Sequence, residues 1–173
     1  MNPVEAMEYL RVTAMSELKS PYQELCLFAI EHYDEGYGGA THHHAYSAVW
    51  TASPPEVVQY CLEMAGPGMD KNVLLVAAYW HDYAKLNEYQ CDISGGKIAV
   101  TEYRKTTGHV VGSSYALMYY LIRHKMDIPD LDPIVHCMLS HHGRREWGSP
   151  VEPATREAWT LHAADMLSSR GCE

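Results

Sequence analysis

His81 and Asp82 stand side by side at the end of the stretch Leu74–Lys85, LLVAAYWHDYAK, in a chain with 11 histidines and a single phenylalanine. An imidazole and a carboxylate on adjacent positions are both ligands for a divalent cation. The residues ahead of them, Leu74, Leu75, Ala78 and Tyr79, fall at helical spacing and predict a helix packed into a core and running to Lys85. Such polar side chains at the inner end of a core helix cost free energy unless they are partnered, and a bound cation partners both. By itself a His-Asp dipeptide is a short motif with a high chance rate, so the rest of the chain must decide.

The same chemistry recurs along the sequence. His42-His43-His44 follows the glycine break at 36–39, His109 opens a predicted helix, His141-His142 closes another, and Asp165 lies in the last one. Each candidate sits at or near the end of a predicted helix, which is how helical bundles build metal sites from facing elements. Several imidazoles with two or more carboxylates suit a divalent Mn, Fe, Co, Ni or Zn ion, with Mg admissible. One Asp shared by two ions would make a two-metal site, which clamps both the attacking and the departing oxygen of a phosphate ester. Asp165 stands among Trp159, Leu161, Met166 and Leu167, where an unpaired buried carboxylate would cost several kcal/mol, and a metal accounts for it better. Taken singly, Lys85 reads as a solvated side chain, His32 as a helix-end residue and His124 as a complement to a helix C-terminus. His136 reads equally as a core residue or as a neighbour of the site.

Apolar spacing predicts the elements that position these groups. Helices are expected over 3–18 and from Pro21 to about Tyr33, the second opened by Ser20 as N-cap, with Pro21 in its first turn and Gln23 closing a capping box. A further helix starts at Ser53-Pro54-Pro55-Glu56 and stops at Gly66-Pro67-Gly68, and Asp70 caps the central one. Around Ser94-Gly95-Gly96 the stretch 90–101 carries the one credible β signal. Helices over 108–125, with Val110, Tyr115, Met118, Leu121 and Ile122 inward, over 134–142 and over 155–168 complete an all-α domain.

Composition narrows the function. With 173 residues the chain fits one domain, and a net charge of −9 leaves no continuous basic surface for duplex phosphates. No apolar run reaches the length of a membrane span and no leader opens the sequence, so a soluble, cytoplasmic protein is expected. The five cysteines lack CxxC spacing and read as reduced thiols.

Four segments in order, His81-Asp82-Tyr83-Ala84-Lys85, Gly108-His109-Val110-Val111-Gly112, Leu139-Ser140-His141-His142-Gly143 and Leu161-His162-Ala163-Ala164-Asp165, resemble the HD-domain metal-dependent phosphohydrolases, the first being similar to their HDxGK signature. Glu146-Trp147-Gly148-Ser149-Pro150-Val151 and His43-His44-Ala45-Tyr46 look like the HD domain of YhaM-type 3′–5′ exoribonucleases, and the similarity runs from about Glu24 to Ser168. The resemblance implies an all-α HD helical bundle with at most a small β-hairpin, one domain over 1–173 with its metal-site core at about 42–168, holding one or two divalent ions. Carried over by position, His81, Asp82 and Asp165 would hold one ion, and Asp82 would bridge to a second held by His109 and His141. Asp82 and Lys85 would serve catalysis, Lys85 by steadying phosphate charge or positioning water, while His43, His142 and His162 would contact substrate or support the ligands.

Two departures stand out. The N-terminal oligonucleotide-binding module of YhaM-type enzymes has no counterpart in these residues, which with the acidic charge argues against extended RNA binding. The family's HHAY motif continues to a His that is the first metal ligand, and here Ser53 takes that place. Either His43 or His44 substitutes, or water completes that ion, or that ion binds weakly; His44 is the replacement expected here. The expected function is metal-dependent hydrolysis of a phosphoric ester, on a nucleotide or a short single-stranded nucleic-acid 3′ end, with no membrane partner and oligomerisation left open. The alternatives are a di-iron HD-type oxygenase, or a catalytically impaired HD domain that binds a nucleotide or a partner protein. Tyr46, Tyr79, Tyr83 and Tyr103 are candidates to stack on a base.

Overall fold

Asp70 starts the helix around which the others pack. In the computed structural model, which describes residues 3–35, 53–92 and 97–170, its side chain accepts hydrogen bonds from Asn72 N at 2.9 Å and Val73 N at 3.3 Å. It thereby satisfies two of the amides that a helix N-terminus leaves unpaired. The Asp70 amide in turn donates to Glu157 Oε1 at 2.8 Å, tying this start to the last helix.

The chain order is α1 (Pro3–Glu17), α2 (Tyr22–Glu35), α3 (Ser53–Met64), α4 (Lys71–Trp80), the single turn α5 (Lys85–Glu88), β1 (Tyr89–Asp92), β2 (Lys97–Val100), α6 (Glu102–Thr106), α7 (Gly108–His124), α8 (Leu131–Ser140), a 3-10 turn (Arg145–Trp147) and α9 (Arg156–Arg170). Every residue of α4 from Val73 to Trp80 is buried, the mark of a helix enclosed on all sides. It packs against α2, α3, α8 and α9. Its two large aromatic residues bury their polar atoms only with partners: Tyr79 Oη donates to Leu10 O at 2.7 Å and Trp80 Nε1 to Leu25 O at 3.1 Å. α1 and α2 therefore fix the far side of α4. Cys26, Cys61 and Cys137 are buried free thiols. The β signal is a two-stranded antiparallel hairpin pairing Tyr89 with Val100 and Asp92 with Lys97. No helix among the described residues is long and apolar enough to cross a membrane.

Four expectations are corrected. α4 ends at Trp80, so His81 to Ala84 form a turn in place of the helix's last turn. The apolar run stops there, and the turn lets neighbouring side chains aim into one space. Gln23 does not close a capping box: its Nε2 donates to Met15 O and Leu18 O, both at 3.2 Å, satisfying carbonyls at the end of α1. On α7, Tyr115, Met118 and Ile122 face outward at 69%, 45% and 73% exposure, while Val110, Ser113, Leu117 and Leu121 face the core. Small Gly112, Ser113 and Ser114 let this helix approach closely, and that rotates its buried stripe away from the larger side chains. α8 lies earlier than expected, at Leu131–Ser140, so His141-His142 follow the helix as a turn.

Candidate metal centre

The turn after α4 delivers His81 and Asp82 to the interior, 0% and 3% exposed. The turn is pinned to α7 by Ala84 N, which donates to the buried Ser113 Oγ at 3.0 Å. Opposite it, α8 stops at Ser140 and Gly143 turns the chain with φ +84°. A Cβ at Gly143 would collide with the His162 ring, 2.6 Å from its Nε2, so both the backbone angle and the close packing require glycine. α9 is held to α3 by Ser168 Oγ donating to Glu56 Oε2 at 2.8 Å, which presents Asp165 to the same space.

Asp82 is the common centre. Its carboxylate lies 3.3 Å from His81 Nε2, 3.5 Å from His109 Nε2 and 3.7 Å from His141 Nε2, and Lys85 Nζ is 2.5 Å away. Asp165 approaches His81 Nε2 at 3.8 Å. Side chains from four separated segments thus meet around Asp82. His43 and His44 lie outside the described residues, and Ser53 begins α3.

The hydrogen bonds behind the rings fix which nitrogen faces inward. Nδ1 of His81 donates to Ala78 O at 2.8 Å, that of His141 to Met138 O at 2.6 Å and that of His142 to Trp147 O at 2.9 Å. Nδ1 of His109 donates to Glu88 Oε1 at 2.9 Å. Carbonyls and carboxylates only accept, so the proton belongs on Nδ1; the Nε2 atoms of His81, His109 and His141 face Asp82, and that of His142 faces His109. His109 and His142 bring these nitrogens to 3.1 Å from each other, where two lone pairs repel unless a proton or a cation lies between. Among the described residues, His81 Nε2, Asp82 Oδ1 and His141 Nε2 are buried without a hydrogen-bond partner. Orphaned buried atoms of this kind are costly, and all three point into one space. The donor set therefore fits a divalent cation.

Electrostatics agree. Burial opposes the charge on Asp82, but Lys85, His81 and His109 outweigh it and hold the carboxyl well below its ordinary range. Burial likewise opposes protonated Lys85, and Asp82 and Asp165 overcome this and raise its pKa. His141 is driven well below the usual imidazole value by burial and by His142 and His81, which keeps its lone pair free. Burial lowers His142 too, assisted by His109.

Ligand atoms cluster as two triads, His81–Asp82–Asp165 and His109–His141–His142, each with its members within 4.8 Å of one another. The first is the set that the resemblance implied. The second has, in place of the bridging carboxylate, His142, a residue expected to contact substrate or support the ligands. His162 belongs to neither triad; its Nδ1 donates to His141 O at 2.7 Å, and its ring lies beside Trp147 and Trp159. His136 also stays outside, accepting from Ala154 N at 3.0 Å, and His124 stacks on Tyr120 with ring centroids 4.2 Å apart. One participant escaped the sequence reading altogether: Glu88, 3% exposed, accepts from both the Nδ1 and the backbone N of His109. No periodicity or motif singles out an acid in Asn87-Glu88-Tyr89, so only the fold reveals it.

Histidines and aspartates from several helical segments converging on a buried carboxylate define a helical metal-site domain. A family model described as HD domain matches residues 54–170. The chain belongs to that family, within the HD superfamily of hydrolases. Among curated proteins it is similar to the 3′-5′ exoribonuclease YhaM of Shouchella clausii, 32% identical over 104 residues that make up 60% of this chain and 32% of the relative. The proteins of that name from Bacillus velezensis and Bacillus subtilis are each 30% identical over the same extent. The chain thus spans about a third of the length of these curated relatives. No solved structure matches.

Proposed function

We propose that this domain is a metal-dependent phosphoric-ester hydrolase whose substrate is a nucleotide or the 3′ end of a short single strand. The observation that carries the reading is Asp82, with three Nε2 atoms within 3.7 Å of its oxygens and an ammonium at 2.5 Å. His81, Asp82 and Asp165 would hold one divalent ion, and His109 and His141, joined by His142 and reaching Asp82, would hold a second. Such ions supply acidified water near neutral pH and positive charge beside the phosphorus.

The chain's own groups do the rest. Lys85 keeps Asp82 ionised while its remaining N–H bonds can meet a phosphate oxygen, and it is one-fifth exposed (21%), on the accessible side of the centre. The backbone carbonyls of Ala78 and Met138 and the Glu88 carboxylate fix the ring orientations, so no reorganisation is needed when charge develops. Relatives named for 3′-5′ exoribonuclease activity favour a nucleic-acid end over other phosphate esters. The test is metal analysis of the protein purified without added metal, followed by hydrolysis of a nucleotide panel and a short RNA with Mn²⁺. Turnover that disappears with EDTA and in Asp82→Asn is the expected result; turnover that survives both would exclude the reading.

A further inference from the structure

Beside the metal centre lies a groove of about 560 Å³ between α2, the turn after α4, α6 and α7. Its walls are mostly rings: Phe28, Tyr83, Tyr103, Tyr115, Tyr119 and Tyr120. Tyr83 is backed by the buried Trp80, with centroids 4.6 Å apart and planes within 28°. Phe28 closes against Tyr120 at 4.0 Å. Polar groups stand at both ends along α7, Asn87 and Thr107 near its start and Arg123 with His124 near its end. Glu31 and Glu24 are close enough to act on Tyr120, so the groove is no dedicated anion site. Aromatic faces edged by tyrosine hydroxyls, the Asn87 amide and the Arg123 guanidinium suit a planar heterocycle with a polar edge.

The groove and the centre share their scaffold. Tyr83 follows Asp82, Asn87 precedes Glu88, and Gly112 lies one turn beyond His109 on α7. Gly112 allows the contact between them: a Cβ there would come within 2.9 Å of Ala84 Cβ and would also strike the Tyr103 hydroxyl.

We propose that this groove is a base-binding subsite, in which a purine or pyrimidine ring stacks on the tyrosine faces while Arg123 meets its polar edge or an adjoining phosphate. The choice of a nucleobase among planar rings rests on the hydrolase reading above; the groove's preference for a stacked ring does not. A free nucleotide and a residue within a single strand present the same ring, and the experiment separates them.

The test uses Tyr119→Ala and Arg123→Ala. Both residues are exposed, Tyr119 at 55%, so the fold is not at stake. Calorimetric titration of the full chain in EDTA with adenosine 5′-monophosphate and, separately, with a triadenylate RNA measures binding without hydrolysis. Each variant is expected to weaken binding on the order of tenfold, with Tyr119→Phe restoring it. Weakening seen only with the triadenylate assigns the ring to a strand; weakening with both assigns it to a free nucleotide as well. In Mn²⁺, KM for the favoured probe rises in both variants while kcat changes little. Binding and KM that are indifferent to both substitutions, or no binding of either probe, would overturn the subsite. Variant-sensitive binding with no turnover in Mn²⁺ keeps the subsite and removes the hydrolase, so the two failures are distinct.

Discussion

Glu88 Oε1 sits 2.9 Å from Nδ1 of His109 and 2.5 Å from its backbone nitrogen, so one buried carboxylate fixes both the ring and the start of α7. The hydrogen bonds from His109 hold the Glu88 carboxyl below its ordinary value against the opposing effect of burial. Removing such an outer partner of a metal-binding histidine costs about 10- to 100-fold in metal affinity. Glu88→Ala is expected to weaken metal binding within that range, and Glu88→Gln, which keeps an acceptor but loses the charge, less. Isothermal titration with Mn²⁺ or Zn²⁺ checks this, and an unchanged dissociation constant in Glu88→Ala would refute the positioning role.

Asp82→Asn keeps the shape and removes the charge shared by His81, His109, His141 and Lys85. It should abolish hydrolysis and suppress the rise in Tm expected when metal is added to the parent protein. That rise corresponds to about 2.7 kcal/mol at a hundredfold excess over the dissociation constant. Asp82→Ala is harsher, because it strands Lys85 and His81 without their anion, at a cost of about 3–5 kcal/mol. Circular dichroism with and without metal separates loss of the site from loss of the fold.

Metal affinity should fall as pH falls. Burial disfavours a charged His81, yet Asp82 and Asp165 prevail and raise its pKa above the ordinary imidazole value. In the metal-free protein the protonated ring therefore contributes stability that is complete below the unfolded pKa and vanishes as pH rises through the elevated folded one. Metal binding runs the other way, since the ion needs the Nε2 lone pair. The apparent dissociation constant should rise by up to about tenfold for each pH unit below the elevated pKa, for one displaced proton. Titrations between pH 6 and 8.5 reveal the slope, and a flat profile argues against His81 as ligand.

Gly143→Ala should damage the fold locally. The backbone there has φ +84° and a methyl group would run into His162. The left-handed conformation alone costs about 1–2 kcal/mol in an alanine, and displacement of the ring adds to it. A melting temperature lowered by several degrees, with the His162 ring resonances shifted, is expected; an unchanged melt would show that the turn relaxes freely.

Much of this molecule is legible before folding. The capping aspartate of α4 is legible because a short acid ahead of an apolar run satisfies free amides wherever it occurs. The candidate ligands are visible as chemistry, since clustered His and Asp side chains are costly in a core unless they are partnered. Other features depend on distance in space. The outward turn of Tyr115, Met118 and Ile122 follows from close packing at Gly112 and Ser113, which periodicity does not encode. His142 joins His109 because Trp147 O holds its other nitrogen, a contact set by the turn after α8.

The sequence by itself determined the helical class, the Asp70 cap and which side chains have the chemistry to ligate a cation, because these depend on local backbone preference and on side-chain chemistry. Only the tertiary structure decided which nitrogen each imidazole turns inward, that Glu88 stands behind His109, and that a ring-lined groove adjoins the centre. Those depend on close contacts, of about 3 Å for a hydrogen bond, between residues far apart in the chain, and such contacts exist only once α4, α7, α8 and α9 have packed.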